Sequence, residues 1–207
     1  MRLRNELLFG GLTRIEEIGR YLEGLDLSER LEEIHSLCPS AMAMLYARAA
    51  EAPPIGEAHF VPEGTPALTQ VIHHGWNSLP AFRGFQKRFC VSRTAADGAP
   101  EIVGYNNNPP LLKSVGITPG YFRLRRTAGL AHWERRGALV IDYHEPPPAG
   151  PVAPGWPRII PNSVGLQKLA FDKTRDFMRK VSAQVSIGAA YKWEQALGVY
   201  FVLCRED

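Results

Sequence analysis

The sequence has few cysteines, a weak net charge and no long apolar run. Its three cysteines, Cys38, Cys90 and Cys204, are too few and too widely spaced for a disulfide framework or a Cys-x-x-Cys zinc site. The formal net charge of +3 is far from the concentrated basic balance of a nucleic-acid-binding protein. No stretch approaches the roughly 20 apolar residues of a membrane span. We therefore expect a reduced, cytoplasmic protein with no metal site, no nucleic-acid partner and no membrane span.

Several chemical motifs are also missing. There is no phosphate-binding loop, no Gly-x-Gly-x-x-Gly after a strand, no His-Glu-x-x-His and no Gly-x-Ser-x-Gly elbow. His73 and His74 are adjacent, so their side chains diverge on a helix or a strand and do not easily share one metal. One of them could be an axial haem ligand, but nothing nearby favours this over an ordinary polar role. The sequence thus predicts no cofactor.

Residues 1–56 carry the patterns of an N-terminal helical extension. Thr13 begins a capping box, and Ser28 is the predicted N-cap of a second helix. Pro39 opens a third helix, which Pro53 ends. One apolar stripe contains Leu12, Ile15, Ile18, Leu22 and Leu25. Because helices with a single apolar face must bury it, we expect these helices to pack against the rest of the chain.

Residues 57–207 change to a β-rich pattern. The predicted strands are 82–91, 101–106, 120–127, 138–145, 184–191 and 199–205. Turn-forming pairs such as Asp97-Gly98 separate them, and a proline-rich crossing at 146–161 is predicted to wrap the outside of the sheet. Short strands with such turns favour an antiparallel barrel or a strongly curved sheet, and no strand–helix alternation indicates a doubly wound fold. The predicted fold class is α+β, with the N-terminal helices packed on this sheet.

The C-terminal third of the chain resembles a known family. The segments that carry the resemblance are 176–181, Gly188 and 200–205 at the closing end, and 75–76 with 84–89 at the opening end. They are similar to segments of small bacterial lipocalin-like proteins, which are calycin-type barrels without an established activity. The resemblance implies that residues 57–207 form a lipocalin-like β domain with a ligand cavity.

Ligand-binding candidates follow from this barrel. A barrel of about eight strands holds either packed side chains or one small ligand in its interior. Aromatic rings occur on every predicted strand, and an arginine at a cavity mouth can orient a polar head group. The predicted ligand-binding residues are Trp76, Phe85, Tyr105, Tyr121, Tyr143, Arg179 and Tyr200.

Candidates for acid–base catalysis are Asp142, His144, Tyr143 and Asp176. Asp142 and His144 are two apart on a predicted strand, so their side chains share a face and can form a carboxylate–imidazole pair. The alternative is structural: if the more apolar alternate residues of this strand point into the barrel, the pair faces outward. On a helix, Asp176 would pair with Arg179 and pin that helix or lid to the barrel rim.

Three functions remain open at this point. The first is a carrier or sensor that holds a small, largely apolar molecule in an open-mouthed, mainly apolar cavity. The second is a cofactor-independent isomerase or cyclase, which would place a catalytic candidate with a shifted pKa inside the same cavity. The third is an interaction protein with a filled barrel, whose N-terminal helices bind a protein partner through an exposed apolar patch. That docking face would contain Met42, Met44, Leu45 and Tyr46.

Overall fold

Eight antiparallel strands form a closed barrel in the computed structural model, which describes residues 2–11, 14–94, 100–107, 119–145, 147 and 151–206. The strands are β1 (Val71–Asn77), β2 (Gly84–Thr94), β3 (Pro100–Asn107), β4 (Gly120–Arg126), β5 (Leu139–Asp142), β6 (Thr174–Lys180), β7 (Val185–Lys192) and β8 (Gln195–Arg205). Each strand pairs with the next, and β8 returns to β1, so the closed sheet has no free edge. The predicted α+β class with a lipocalin-like antiparallel barrel is confirmed.

Strands β1 and β6 are absent from the sequence-based prediction. The segment that forms β6 is predicted as a helix or lid, and this prediction is wrong. In β6, Asp176 and Met178 point into the barrel, whereas Phe177 and Arg179 point outward. Because Asp176 and Arg179 lie on opposite faces of the sheet, the predicted ion pair between them does not form. The predicted turn at Asp97-Gly98 lies outside the described residues.

In the described part of the chain, four helices precede the barrel: α1 (Arg2–Phe9), α2 (Ile15–Glu23), α3 (Leu27–His35) and α4 (Pro39–Arg48). α3 and α4 pack on the outside of β1, β7 and β8, and α1 packs on α3 and α4, so the apolar faces of these helices are buried. Ile18, Leu22 and Leu45 are buried in one cluster with Val185 and Val202 of the barrel. Helices of this length are marginal alone, so burial against the barrel supplies most of their stability.

The start of α3 differs from the prediction. Asp26, and not Ser28, is the N-cap: its carboxylate accepts a hydrogen bond from the backbone N–H of Glu29 at 2.9 Å. The Glu29 carboxylate accepts the Asp26 N–H in return at 3.0 Å, which completes a capping box. Ser28 lies within the first turn, because the helix begins two residues earlier than expected. Pro39 opens α4 as predicted, and the capping residue Thr13 lies outside the described residues.

The docking face predicted on α4 is not exposed. Met42, Leu45 and Tyr46 are buried in the cluster between the helices and the barrel, and only Met44 is partly accessible. The apolar stripe of α4 is used to hold the helix on the sheet. A protein partner would therefore not reach most of this face.

One end of the barrel is plugged by the segment that enters it. A single 3₁₀ turn (Glu57–His59) follows α4, and Ile55, Phe60 and Val61 enter the internal cluster. The ring of Phe60 stacks on His73 at 5.6 Å and lies 5.1 Å from Phe89, between ring centroids. This packing closes the end at which β1 begins.

Residues 151–161 of the proline-rich crossing lie against the outer face of β2, β3 and β4. Ala153 packs with Cys90 and Val103, and Trp156 lies 5.0 Å from the ring of Tyr105. The hydroxyl of Tyr121 donates to the carbonyl oxygen of Pro157. Two short helices, α5 (Ala131–Glu134) and α6 (Gln167–Ala170), lie in the connections that flank β5.

Candidate functional site

A cavity of about 310 Å³ runs into the barrel from the end opposite the plug. Its mouth lies beside the β1–β2 connection and the start of β8, where Leu79, Phe82 and Leu197 are exposed. The walls farther in include Phe85 of β2 and Phe201 of β8. The cavity thus leads from an apolar mouth past aromatic walls to a polar base.

Two glycines set the positions of these aromatic walls. Gly75 lies directly opposite Phe85 in the β1–β2 ladder, and Gly188 lies opposite Phe201 in the β7–β8 ladder. A Cβ atom on Gly75 would lie 2.4 Å from the Phe85 ring, and one on Gly188 would lie 2.3 Å from the Phe201 ring. The rings therefore lie over backbone that carries no side chain, which leaves the barrel axis open between them.

The polar base consists of Lys87, Asp176 and Tyr143. Lys87 points inward from β2, and its side chain is 3% exposed, compared with 6% for Asp176. The ammonium nitrogen Nζ lies 3.0 Å from Oδ2 of Asp176 and also donates to the hydroxyl oxygen of Tyr143. All three residues line the cavity, so a molecule that reaches the base meets them directly.

An aromatic cage surrounds the Lys87 nitrogen. Nζ lies 4.8 Å from the ring centroids of Tyr143 and Phe201, and 5.5 Å from those of Phe85 and Phe122. Ring faces attract a cation at these distances. The cage therefore offsets part of the desolvation of the charged lysine.

Burial shifts the proton affinities of all three base residues. It lowers the pKa of Lys87, while the Asp176 carboxylate opposes this change. It raises the pKa of Asp176, with Lys87 acting in the opposite direction, and it raises the pKa of Tyr143 well above its ordinary value. The amine and the carboxyl are thereby brought closer in proton affinity than they are in water. Titratable groups perturbed in this way inside a cavity are typical of functional sites.

Only two of the predicted ligand-binding residues line the cavity, namely Phe85 and Tyr143. Trp76 points outward and packs on His35 of α3, with their ring centroids 4.8 Å apart. Tyr200 points outward and lies 5.5 Å from the ring of Tyr46 on α4.

The other three predicted ligand-binding residues also lie outside the barrel. Tyr105 and Tyr121 pack beneath the proline-rich crossing. Arg179 donates to the backbone oxygens of Tyr46, Arg135 and Arg136. A ligand in the barrel would touch none of these five outward-facing residues, because alternate side chains of a strand face opposite sides of the sheet.

The catalytic candidates divide between the two faces in the same way. Asp142 faces outward, where Oδ2 lies 3.1 Å from Arg125 and 3.2 Å from Arg175. His144 follows it on the surface, and its Nε2 lies 3.1 Å from Nζ of Lys173. This is the outward arrangement expected if the apolar residues of β5 point inward, as they do. Tyr143 and Asp176, by contrast, meet at the cavity base through their shared partner Lys87.

Lys87 is the residue that the sequence analysis missed. It lies between Phe85 and Phe89 at a spacing of two, so the pattern placed a lysine on the same strand face as two aromatic rings. A charged residue that alternates with aromatic residues on an inward strand face is the sequence pattern that indicates a buried ionic group.

The adjacent histidines diverge, as predicted. His73 is buried at the plugged end, and its Nε2 donates to the carbonyl oxygen of Phe60 at 3.0 Å. His74 faces outward, and its Nε2 lies 2.7 Å from the Glu206 carboxylate. Among the described residues, no group of three or more His, Cys, Asp or Glu side chains could hold a metal ion.

The fold and the site together define a closed, eight-stranded lipocalin-like barrel with an internal cavity and a buried lysine–aspartate pair. No protein-family model matches the chain, and no curated protein or solved structure is significantly similar to it. The resemblance to small bacterial lipocalin-like proteins therefore stays a prediction. None of the helices in the described ranges is long and apolar enough to cross a membrane.

Proposed function

We propose that the protein binds a small, largely apolar molecule with one polar end in the barrel cavity, as a carrier or sensor. The observation that carries this proposal is the path from exposed Leu79 and Phe82 to the buried pair of Lys87 and Asp176. Ligand cavities in proteins combine mainly apolar walls with a few fixed polar groups, and this cavity has that composition.

The polar base selects the orientation of the ligand. The apolar part of the molecule lies between Phe85 and Phe201, and its polar end accepts hydrogen bonds from Lys87 or Tyr143. A purely apolar molecule gains burial but leaves these donors without a new partner. A ligand with one acceptor at its end is therefore preferred over a hydrocarbon of the same size.

The first test is native mass spectrometry with an absorbance spectrum, on freshly purified, untagged protein. A reproducible bound mass supports the proposal and identifies the ligand class.

The second test fills the cavity by Ala190→Phe, since Ala190 lines it. The matched control is Ala196→Phe, which places the same ring at an exposed position of β8. The bound mass should disappear in A190F and remain in A196F. Equal loss or equal retention in the two variants contradicts binding inside the barrel.

A second candidate function is proton-transfer catalysis in the same cavity. It is favoured by the burial of Asp176 and Tyr143, two of the catalytic candidates, at the base with raised pKa values. The probe is nitrobenzisoxazole, a small apolar compound that opens when a base removes one proton. Turnover above the rate in buffer that is lost in both Asp176→Asn and A190F supports catalysis. Turnover equal to that in buffer contradicts catalysis, and the carrier or sensor function then remains as the proposal.

A further inference from the structure

We propose that Lys87 captures aldehyde or ketone ligands covalently, through an imine between its Nζ and the carbonyl carbon of an apolar molecule in the cavity. This inference rests on the proposed function, because the carbonyl compound must first enter the barrel. It adds a reactive group and a chemical class of ligand to that function.

The position of Nζ supports the assignment. Lys87 lines the cavity, and its side chain is almost completely buried, with Nζ 3.0 Å from Oδ2 of Asp176 at the cavity base. Tyr143 lies within hydrogen-bonding contact of Nζ, so its hydroxyl can donate to the oxygen of a carbonyl group that approaches the amine. The nucleophile Lys87, the proton acceptor Asp176 and the hydrogen-bond donor to the carbonyl oxygen, Tyr143, therefore lie together at the cavity base.

A lysine attacks a carbonyl only as the neutral amine. Desolvation lowers the pKa of Lys87, and each unit of such lowering raises the neutral fraction at neutral pH about tenfold. Asp176, 3.0 Å away, is the acceptor for the released proton. Lys168, exposed on α6, lacks this environment and serves as an internal comparison.

The reaction balances without an oxidant or reductant. The amine adds to the carbonyl carbon, a C–N bond forms, and the former carbonyl oxygen becomes a hydroxyl. That hydroxyl leaves as water, which carries away two hydrogens from the original ammonium nitrogen. The third hydrogen stays, so the product is a protonated imine beside the Asp176 carboxylate. The net charge of the site is the same before and after the reaction.

The surroundings that hold the ammonium group also suit the product. A protonated imine is a cation at nearly the position of Nζ, so it remains within the cage of Tyr143, Phe201, Phe85 and Phe122. Asp176 is its counter-ion. The water-poor interior slows hydrolysis, because the leaving water must be replaced before the imine opens.

The test uses the full chain and para-dimethylaminobenzaldehyde, whose protonated imine absorbs at longer wavelength than the aldehyde. Sodium cyanoborohydride then reduces the imine to a stable amine, which peptide mass spectrometry locates. We expect a long-wavelength band and one dominant adduct on Lys87, with Lys168 labelled far more slowly. Lys87→Arg, which keeps the positive charge, should lose both signals, and A190F should lose both while A196F keeps them.

Asp176→Asn is the variant that separates chemistry from folding. It retains Lys87 but removes the counter-ion, so the adduct should form with its absorption shifted to shorter wavelength at neutral pH. Circular dichroism establishes that each variant is folded. Labelling spread over surface lysines and unchanged in K87R overturns the proposal.

The corresponding alcohol, para-dimethylaminobenzyl alcohol, distinguishes a failure of the imine proposal from a failure of the carrier function. It has the same skeleton but cannot form an imine, and its binding is measured by titration calorimetry. If the alcohol binds and A190F abolishes that binding, yet the aldehyde is not trapped on Lys87, the carrier function stands and the imine is wrong. If neither compound enters the cavity, both proposals fail for this class of ligand.

Discussion

Nζ of Lys87 lies 3.0 Å from Oδ2 of Asp176 in the interior of the barrel, although the two residues are 89 positions apart in the chain. Lys87 is on β2 and Asp176 is on β6, so strand closure is what brings them together. Removing two charges from water costs several kcal/mol per ion, of the order of magnitude known for buried pairs. A purely structural core would avoid that cost with apolar residues, which is why the pair points to a role in the cavity.

The Lys87–Asp176 pair should behave as a coupled unit in stability measurements. Lys87→Met or Asp176→Leu alone leaves one buried polar group without its partner, and we expect each to lower the free energy of unfolding by about 3–5 kcal/mol. The double variant removes both groups and should recover most of this loss. Urea unfolding measures all four proteins in one cycle. Losses that simply add in the double variant contradict a direct interaction.

The buried His73 should make the protein less stable in mild acid. The pKa of His73 is lowered from an ordinary value of 6.5 to about 3, and burial is the largest cause. The hydrogen bond to Phe60 opposes this shift, whereas the charges of Arg205 and His74 add to it. The unfolded chain therefore binds a proton that the folded chain rejects between these two values. Stability is fully present above pH 6.5 and falls as the pH drops towards 3, by about 1.4 kcal/mol per pH unit for one proton.

His73→Gln tests this dependence, because glutamine keeps a donor for the Phe60 carbonyl but does not titrate. The slope of unfolding free energy against pH between 4 and 6 should become shallower by about one proton. His59, whose pKa is also lowered well below its ordinary value by burial and by His73, remains in both proteins. His132→Gln, at an exposed position, is the control and should leave the slope as it is. An unchanged slope in H73Q contradicts the assignment of the acid-dependent loss of stability to His73.

Gly75→Ala should narrow the cavity by displacing the Phe85 ring that forms part of its wall. The new methyl group would meet the Phe85 ring at 2.4 Å, so that ring has to move towards the barrel axis. We expect a loss of about 1–3 kcal/mol in unfolding free energy from overpacking, together with weaker binding of any ligand found by mass spectrometry. Gly56→Ala is the matched control, since a Cβ there meets nothing within 4 Å. Unaltered affinity in G75A would show that Phe85 does not border the bound ligand.

Arg179 should contribute to stability and not to ligand binding. Its guanidinium donates to the carbonyl oxygens of Tyr46, Arg135 and Arg136, and it lies 4.0 Å from the Tyr46 ring centroid. It thereby ties α4 and the α5 region to the outside of β6. Arg179→Met should lower the unfolding free energy by about 1.5–3 kcal/mol, the range for hydrogen bonds to charged groups. Ligand affinity should stay at its original value, and a large fall in affinity at full stability would place Arg179 in the site after all.

Much of the fold could be predicted because its signals are local. Apolar residues such as Ile15, Ile18 and Leu22 recur at helical spacing, and they are buried against the barrel. Alternating patterns marked six of the eight strands. β6 was missed because Asp176 and Arg179 also fit a helical spacing, and local sequence does not reveal which pairing the rest of the chain offers.

The site was predictable only in part. Phe85, Tyr143 and Asp176 were identified as candidates and line the cavity, but Trp76 and Tyr200 face the helices on the outside. An aromatic residue on a strand has the same sequence signal whichever way it points. The face is decided by the register of neighbouring strands and by what covers each side of the sheet.

The order of N-terminal amphipathic helices and short antiparallel strands can be read from the amino-acid sequence, because hydrophobic spacing and turn residues act over a few positions. The cavity in the interior, and the meeting of Lys87 and Asp176 at its base, are visible only in the folded barrel. The physical reason is that these properties depend on closure of the barrel. The ladder between β1 and β8 joins strands from opposite ends of the domain and closes the space that the inward-facing side chains share.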